Sequence, residues 1–109
     1  MSNKAIIYKV IVDPAANDRM YEHFEFLARV SETAALKLLD RLVKDIRSLE
    51  HLPYRNPLYD RPYLKSGKYR YKPSCDRYRI VYQIEDNTVF VDDIQDCRES
   101  DENSLLQNK

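Results

Sequence analysis

The chain has 109 residues, 43% apolar and 33% charged, and 18 basic side chains against 18 acidic ones leave a formal net charge of zero. That length holds one small domain with one core, the composition is that of a globular protein, and no apolar run approaches the roughly 18–20 residues of a membrane span. The neutrality is uneven: residues 41–82 carry eleven Lys/Arg against four Asp/Glu, and residues 83–109 carry two against eight. An evenly spread zero argues against an anionic ligand, whereas a basic middle beside an acidic end does not.

The start, Met1-Ser2-Asn3-Lys4, runs directly into Ile6 and Ile7. The short stretch that follows contains Lys9 and is too polar for a signal-peptide core, so a cytosolic location is expected, with no membrane partner. Residues 6–12 are β-branched and aromatic and predict a first strand with Ile6, Tyr8, Val10 and Val12 on one face. Asn17 or Asp18 is the expected cap of a helix to about Arg29, with Met20, Phe24 and Leu27 as its apolar stripe. Ser31 caps a second helix to about Glu50, on which Ala35, Leu39, Leu42, Ile46 and Leu49 recur at spacings of four and three. The near absence of a linker favours a hairpin, the alternative being one kinked helix. Pro53, Pro57, Pro62 and the only glycine, Gly67, mark residues 53–67 as a long loop of the kind that is functional or covered by a partner.

Three strands follow: residues 69–72, then 78–84, then 88–94, with turns at 73–76 and 85–87. The order β-α-α-β-β-β predicts an α+β fold, a helical hairpin packed on a largely antiparallel four-stranded sheet. One domain is expected over residues 1–98, with 99–109 a polar, fraying tail. Cys75 and Cys97 form no CxxC pair and the two histidines, His23 and His51, are not spaced as zinc ligands, so neither a metal nor another cofactor is expected.

Alternation sets the candidate site. Tyr78, Ile80, Tyr82 and Ile84 form one face of their strand, and Arg79, Val81 and Gln83 the other. If the helices cover the apolar face, Arg70, Lys72 and Arg79 are expected together on the opposite, open face. Converging cations repel one another and are stabilised by an anion such as a phosphate backbone; the plainer reading is solvated residues on an open sheet face. Seven of the nine tyrosines fall in the basic middle. Alternation makes Tyr69, Tyr71, Tyr78 and Tyr82 core residues and leaves Tyr54, Tyr59 and Tyr63 freer to stack on bases.

Tyr69-Arg70-Tyr71-Lys72, then Tyr78-Arg79-Ile80-Val81-Tyr82-Gln83-Ile84, then Asp96-Cys97-Arg98-Glu99, resembles the RelE/ParE superfamily of toxins from type II toxin–antitoxin systems. The resemblance covers nearly the whole chain in element order and about the last 40 residues in motif. It implies a toxin neutralised by a cognate antitoxin and a role in plasmid stabilisation. In the RelE branch it implies endoribonuclease activity on mRNA in the ribosome, without metal, and so inhibition of translation. The family's catalytic cations then fall on Arg70, Lys72, Arg79 and Arg98, with Lys72 as the base and the arginines stabilising phosphate charge; Lys68 and Arg77 are the candidate RNA-binding residues. The tyrosine that RelE enzymes carry past the last arginine has no counterpart in Glu99-Ser100-Asp101-Glu102-Asn103-Ser104. The alternative is the ParE branch, which inhibits DNA gyrase and cuts nothing.

Overall fold

A computed structural model describes residues 6–108; the reading of Met1-Ser2-Asn3-Lys4 lies outside the described residues. In chain order the elements are β1 (Lys9–Val12), α1 (Pro14–Ala28), α2 (Glu32–Ser48), β2 (Tyr69–Ser74), β3 (Tyr78–Glu85) and β4 (Thr88–Asp96). The strands lie in the order β1-β4-β3-β2, with β1 parallel to β4 and the other pairs antiparallel. This is the expected α+β architecture, two helices packed on a largely antiparallel sheet. Among the described residues no helix is long and apolar enough to cross a membrane.

α1 begins before its expected caps, Asn17 and Asp18. Asp13 is the N-cap, its Oδ1 accepting from the Ala15 N–H at 2.9 Å, and Pro14 occupies the first turn. A proline there gives up only an N–H that has no intrahelical partner, and its fixed φ suits the helix. Asn17 and Asp18 therefore lie inside the helix. Ser31 caps α2 as expected, accepting from the Ala34 N–H at 3.1 Å, and residues 29–31 separate the helices into a hairpin.

The hairpin and one sheet face enclose the main core. Met20, Leu38, Leu42, Ile46 and Leu49 from the helices meet Tyr78, Ile80, Tyr82, Val89, Val91 and Ile94, with Tyr8, Val10 and Val12 of the β1 segment packed against them. Leu39, expected in the buried stripe, is half-buried, and Leu38 takes the central place.

The opposite sheet face is covered too. Tyr59 from the long loop, Tyr69, Val81 and Leu106 form a second buried cluster, with Tyr63, Leu64 and Tyr71 packed against it. The loop is tied down as a short extra strand: Tyr59 N–H donates to the Tyr69 carbonyl at 2.8 Å and Tyr71 N–H to the Pro57 carbonyl at 3.1 Å. The C-terminal segment folds into the turns Asp101–Asn103 and Leu105–Asn108, with Ser104 and Leu106 buried. Ser104 and Leu106 are thus the residues that pack this segment, while Ser100, Asp101, Glu102, Asn103 and Gln107 stay exposed.

A bulge sets the phase of β4. Val81 pairs with Asp93 and Tyr82 with Val91, so Asp92 is the extra residue on β4. Val89 and Val91 point to the helices before the bulge and Ile94 after it. Asp93, completely buried, and Gln95 are thereby turned toward the loop and the C-terminal segment.

Candidate functional site

The β2–β3 register decides where the candidate cations go. Arg70 is paired with Tyr82 and Lys72 with Ile80, and directly paired residues share a sheet face. Tyr82 and Ile80 belong to the helix-side core, so Arg70 and Lys72 stand on the helix side, at the edge strand. Arg79 alternates with Ile80 and emerges on the other side. The expected convergence of Arg70, Lys72 and Arg79 on one open face does not occur: the sheet separates the first two from the third. The period of two fixes facing within a strand but not the phase between strands.

Arg70 is engaged at the start of the long loop. Its Nη1 donates to the Tyr54 carbonyl at 3.0 Å and the Asn56 carbonyl at 2.7 Å, and its guanidinium lies 5.3 Å from the Tyr54 ring centroid. Beside it the buried Tyr82 hydroxyl donates to the Pro53 carbonyl at 2.6 Å and accepts from the Asn56 side-chain amide at 2.9 Å. Burial is the largest influence on that phenol and pushes its pKa up. Lys72 is half-buried on the same strand.

Arg79 occupies a different setting. Its Nε donates to Gln95 Oε1 at 2.7 Å, its Nη1 lies 3.5 Å from Cys97 Sγ, and its guanidinium is 5.2 Å from the centroid of Tyr59. The Tyr59 hydroxyl donates to the same Gln95 oxygen at 3.0 Å. Gln95 is fixed in turn, its amide donating to Asp93 Oδ2 at 2.8 Å and to Ser104 Oγ at 3.2 Å. The Leu105 N–H also reaches Asp93 Oδ2, at 3.0 Å. A buried carboxylate thus orients an amide, and the amide oxygen orients both Arg79 and Tyr59. Burial raises the Tyr59 pKa, with Arg79 and Arg61 opposing it.

Arg98 lies at the α1 end of the sheet. It holds Asp96 with two side-chain hydrogen bonds, Nε to Oδ1 at 3.1 Å and Nη2 to Oδ2 at 2.7 Å, and its own N–H donates to Oδ1 at 3.0 Å. Burial pushes the Asp96 carboxyl up, but the Arg98 contacts outweigh it and hold the pKa below the usual range; the same pairing raises Arg98. Arg77 is exposed in the β2–β3 turn, and the Lys68 ammonium lies 5.4 Å from the Tyr69 ring centroid. Of the three cations expected to converge, Arg70 and Lys72 thus lie on one side of the sheet and Arg79 on the other.

The cleft beside Arg98 contains residues the stripe reading missed. His23 is buried between α1 and β4, its Nε2 2.7 Å from the Ile94 carbonyl and its ring 5.3 Å from that of Tyr78. Arg19 bridges Glu99, at 2.8 Å, and the buried Asp93, at 3.7 Å. The signal available was spacing: His23 lies three residues from Met20 and four from Leu27, on the buried side. Among the described residues no three His, Cys, Asp or Glu side chains are grouped as metal ligands.

A helical hairpin packed on a largely antiparallel β1-β4-β3-β2 sheet defines a small α+β protein. A family model described as "ParE toxin of type II toxin-antitoxin system, parDE" matches residues 10–100. The chain belongs to this ParE toxin family, within the RelE/ParE superfamily, and as one half of a type II pair it has an antitoxin as its partner. A solved structure described as "Chromosomal ParDE TA system from P. aeruginosa" is similar in fold, with a TM-score of 0.67 at 11% identity, over 84% of this chain and 98% of that one. A search of curated proteins finds no match.

Proposed function

We propose that this toxin arrests growth by binding a protein target, DNA gyrase, rather than by cutting mRNA on the ribosome. The observation that carries the choice is the β2–β3 register, which puts Lys72 and Arg79 on opposite sides of the sheet. Cleavage through a ribose 2′-OH needs a base and a charge-stabilising donor within hydrogen-bond reach of one phosphate. Lys72 is the only member of the expected set suited to be that base, and Arg79 is not beside it. Arg70, on the side of Lys72, is already engaged by the Tyr54 and Asn56 carbonyls, and Arg98 by Asp96. Membership of the ParE family supports the same reading, because the ParE branch acts on gyrase. The endoribonuclease reading therefore gives way to its alternative.

The test compares two assays on the purified chain without its antitoxin. Supercoiling of relaxed plasmid by gyrase is expected to fail as the toxin is titrated in, while mRNA on programmed ribosomes stays intact. Codon-specific cleavage together with undisturbed supercoiling would overturn the proposal.

A further inference from the structure

The geometry points to the cavity beside Arg79 as a receptor for one carboxylate side chain of the antitoxin. The inference rests on reading the chain as the toxin of a type II pair, but not on gyrase being its target. The cavity, about 300 Å³, lies between the long loop and the second sheet face and is lined by Leu58, Tyr59, Asp60, Arg61, Tyr71 and Arg79. That volume is near the lower limit for ligand sites and suits a side chain rather than a whole cofactor.

Its chemistry is cationic and aromatic. Two guanidiniums lie against one buried ring, Arg61 at 4.3 Å and Arg79 at 5.2 Å from the Tyr59 centroid. Tyr59 cannot turn away: Gln95 holds its hydroxyl, and Tyr71 packs on it at 72° with centroids 5.9 Å apart. A ring offers each cation only about 0.5–1 kcal/mol at exposed sites, which leaves the two like charges incompletely compensated. Arg61 has a carboxylate, Asp101 Oδ1, at 3.4 Å. Arg79 has none among the described residues, only the Gln95 amide oxygen and Cys97 Sγ, and its Nη2 donates to no described group. A half-buried guanidinium with one free edge, fixed by an amide and a ring, is preorganised for a carboxylate oxygen.

The surroundings favour a carboxylate over a nucleic-acid strand. Asp60 lines the cavity and Asp101 stands at its rim, in an acidic run that includes Glu99 and Glu102. A polynucleotide brings a charge with every phosphate to that rim. One acidic side chain brings a single charge, directed at the unneutralised guanidinium. A protein segment whose business is to cover the toxin is the partner able to supply it.

The test measures affinity for the co-encoded antitoxin by calorimetry, beside binding of a mixed-sequence 20-nucleotide single-stranded RNA. Arg79→Gln is expected to weaken antitoxin binding roughly 30-fold or more, the usual result of removing one member of a desolvated charge pair, with Arg79→Lys intermediate. Neutralising the antitoxin's Asp and Glu residues one at a time should identify a single position whose loss is not additive with Arg79→Gln. Leu58→Glu places a competing carboxylate at the cavity while leaving the Gln95 hydrogen bond intact. It is expected to weaken binding even if Arg79→Gln fails to fold. Unchanged antitoxin affinity in Leu58→Glu and in folded Arg79→Gln, or additivity at every acidic position, overturns the inference. So does RNA binding that Arg79→Gln abolishes while antitoxin affinity persists. Failure of the parent chain to inhibit gyrase would overturn the target reading alone, since the antitoxin affinities are read independently.

Discussion

Each arginine in the candidate set is governed by what holds its guanidinium. Arg70 is satisfied by two backbone carbonyls, Arg98 by a carboxylate, and Arg79 by an amide oxygen and a ring. Only the last keeps an unneutralised charge facing a cavity. The Asp96–Arg98 pair makes this measurable. The folded carboxyl has a pKa below its unfolded value of about 3.9. The stability it contributes is therefore complete above that unfolded value and is lost as pH falls through the folded one. Arg98→Ala removes the contacts that lower the pKa and leaves burial, which raises it. The expected outcome is an upward move of the Asp96 carboxyl midpoint in a ¹³C NMR titration. The melting temperatures of parent and variant should differ at neutral pH and converge in acid. An unmoved midpoint, or a gap constant with pH, would show that the pair does not form in solution. Such partners were not legible in the sequence, where Arg70, Arg79 and Arg98 differ only in position.

At the scale of elements, number, order and type followed from periodicity, because amphipathic helices and alternating strands leave strong local patterns. What did not follow was phase. Facing between β2 and β3 is set by the three residues 75–77 that join the paired Ser74 and Tyr78, and Cys75 and Asp76 there adopt positive φ. Non-glycine residues rarely do so, and no glycine announces the turn. The bulge at Asp92 shifts the alternation of β4 again, and aspartates on a strand read as solvent-facing until that shift is known. The start of α1 differs from the expected caps at Asn17 or Asp18 because the Asp13-Pro14 pair, next to the first strand, itself opens the helix. Asp13→Ala is expected to cost about 1 kcal/mol, the usual value of an N-cap, or roughly 4–8 °C in melting temperature for a domain of this size. Asn17→Ala, at an exposed position inside the helix, should be neutral or slightly stabilising. Thermal melts of both variants decide the boundary, and the reverse ranking would place the cap where the sequence reading put it.

For the molecule as a whole, the consequence is a sheet covered on both sides by a chain of only 109 residues. The acidic end and the basic middle balance locally, with Arg61 to Asp101 and Arg19 to Glu99 joining the C-terminal segment to the loop and to α1. The strand Arg79-Ile80-Val81-Tyr82-Gln83 looks half apolar and half solvated, but Val81 is fully buried under Leu106 and Tyr59. Leu105 and Leu106 were the signal for this second core, set in a tail whose other residues are polar. Leu106→Ala tests it directly. Leu106 is 1% exposed, so truncation leaves a cavity against Tyr59, Tyr69 and Val81. Buried Leu→Ala changes cost about 2–5 kcal/mol, and the value depends on how far the site can collapse. The lower part of that range is expected, because the segment is terminal and can settle inward. Leu105, half-buried beside it, is the internal control, and Leu105→Ala should cost distinctly less. Urea unfolding of the two variants is the measurement. A loss for Leu106→Ala within about 0.5 kcal/mol, the range of ordinary surface changes, would mean that the C-terminal segment does not cover the sheet in solution. Arg61, which lines the Arg79 cavity, would then lose its Asp101 partner.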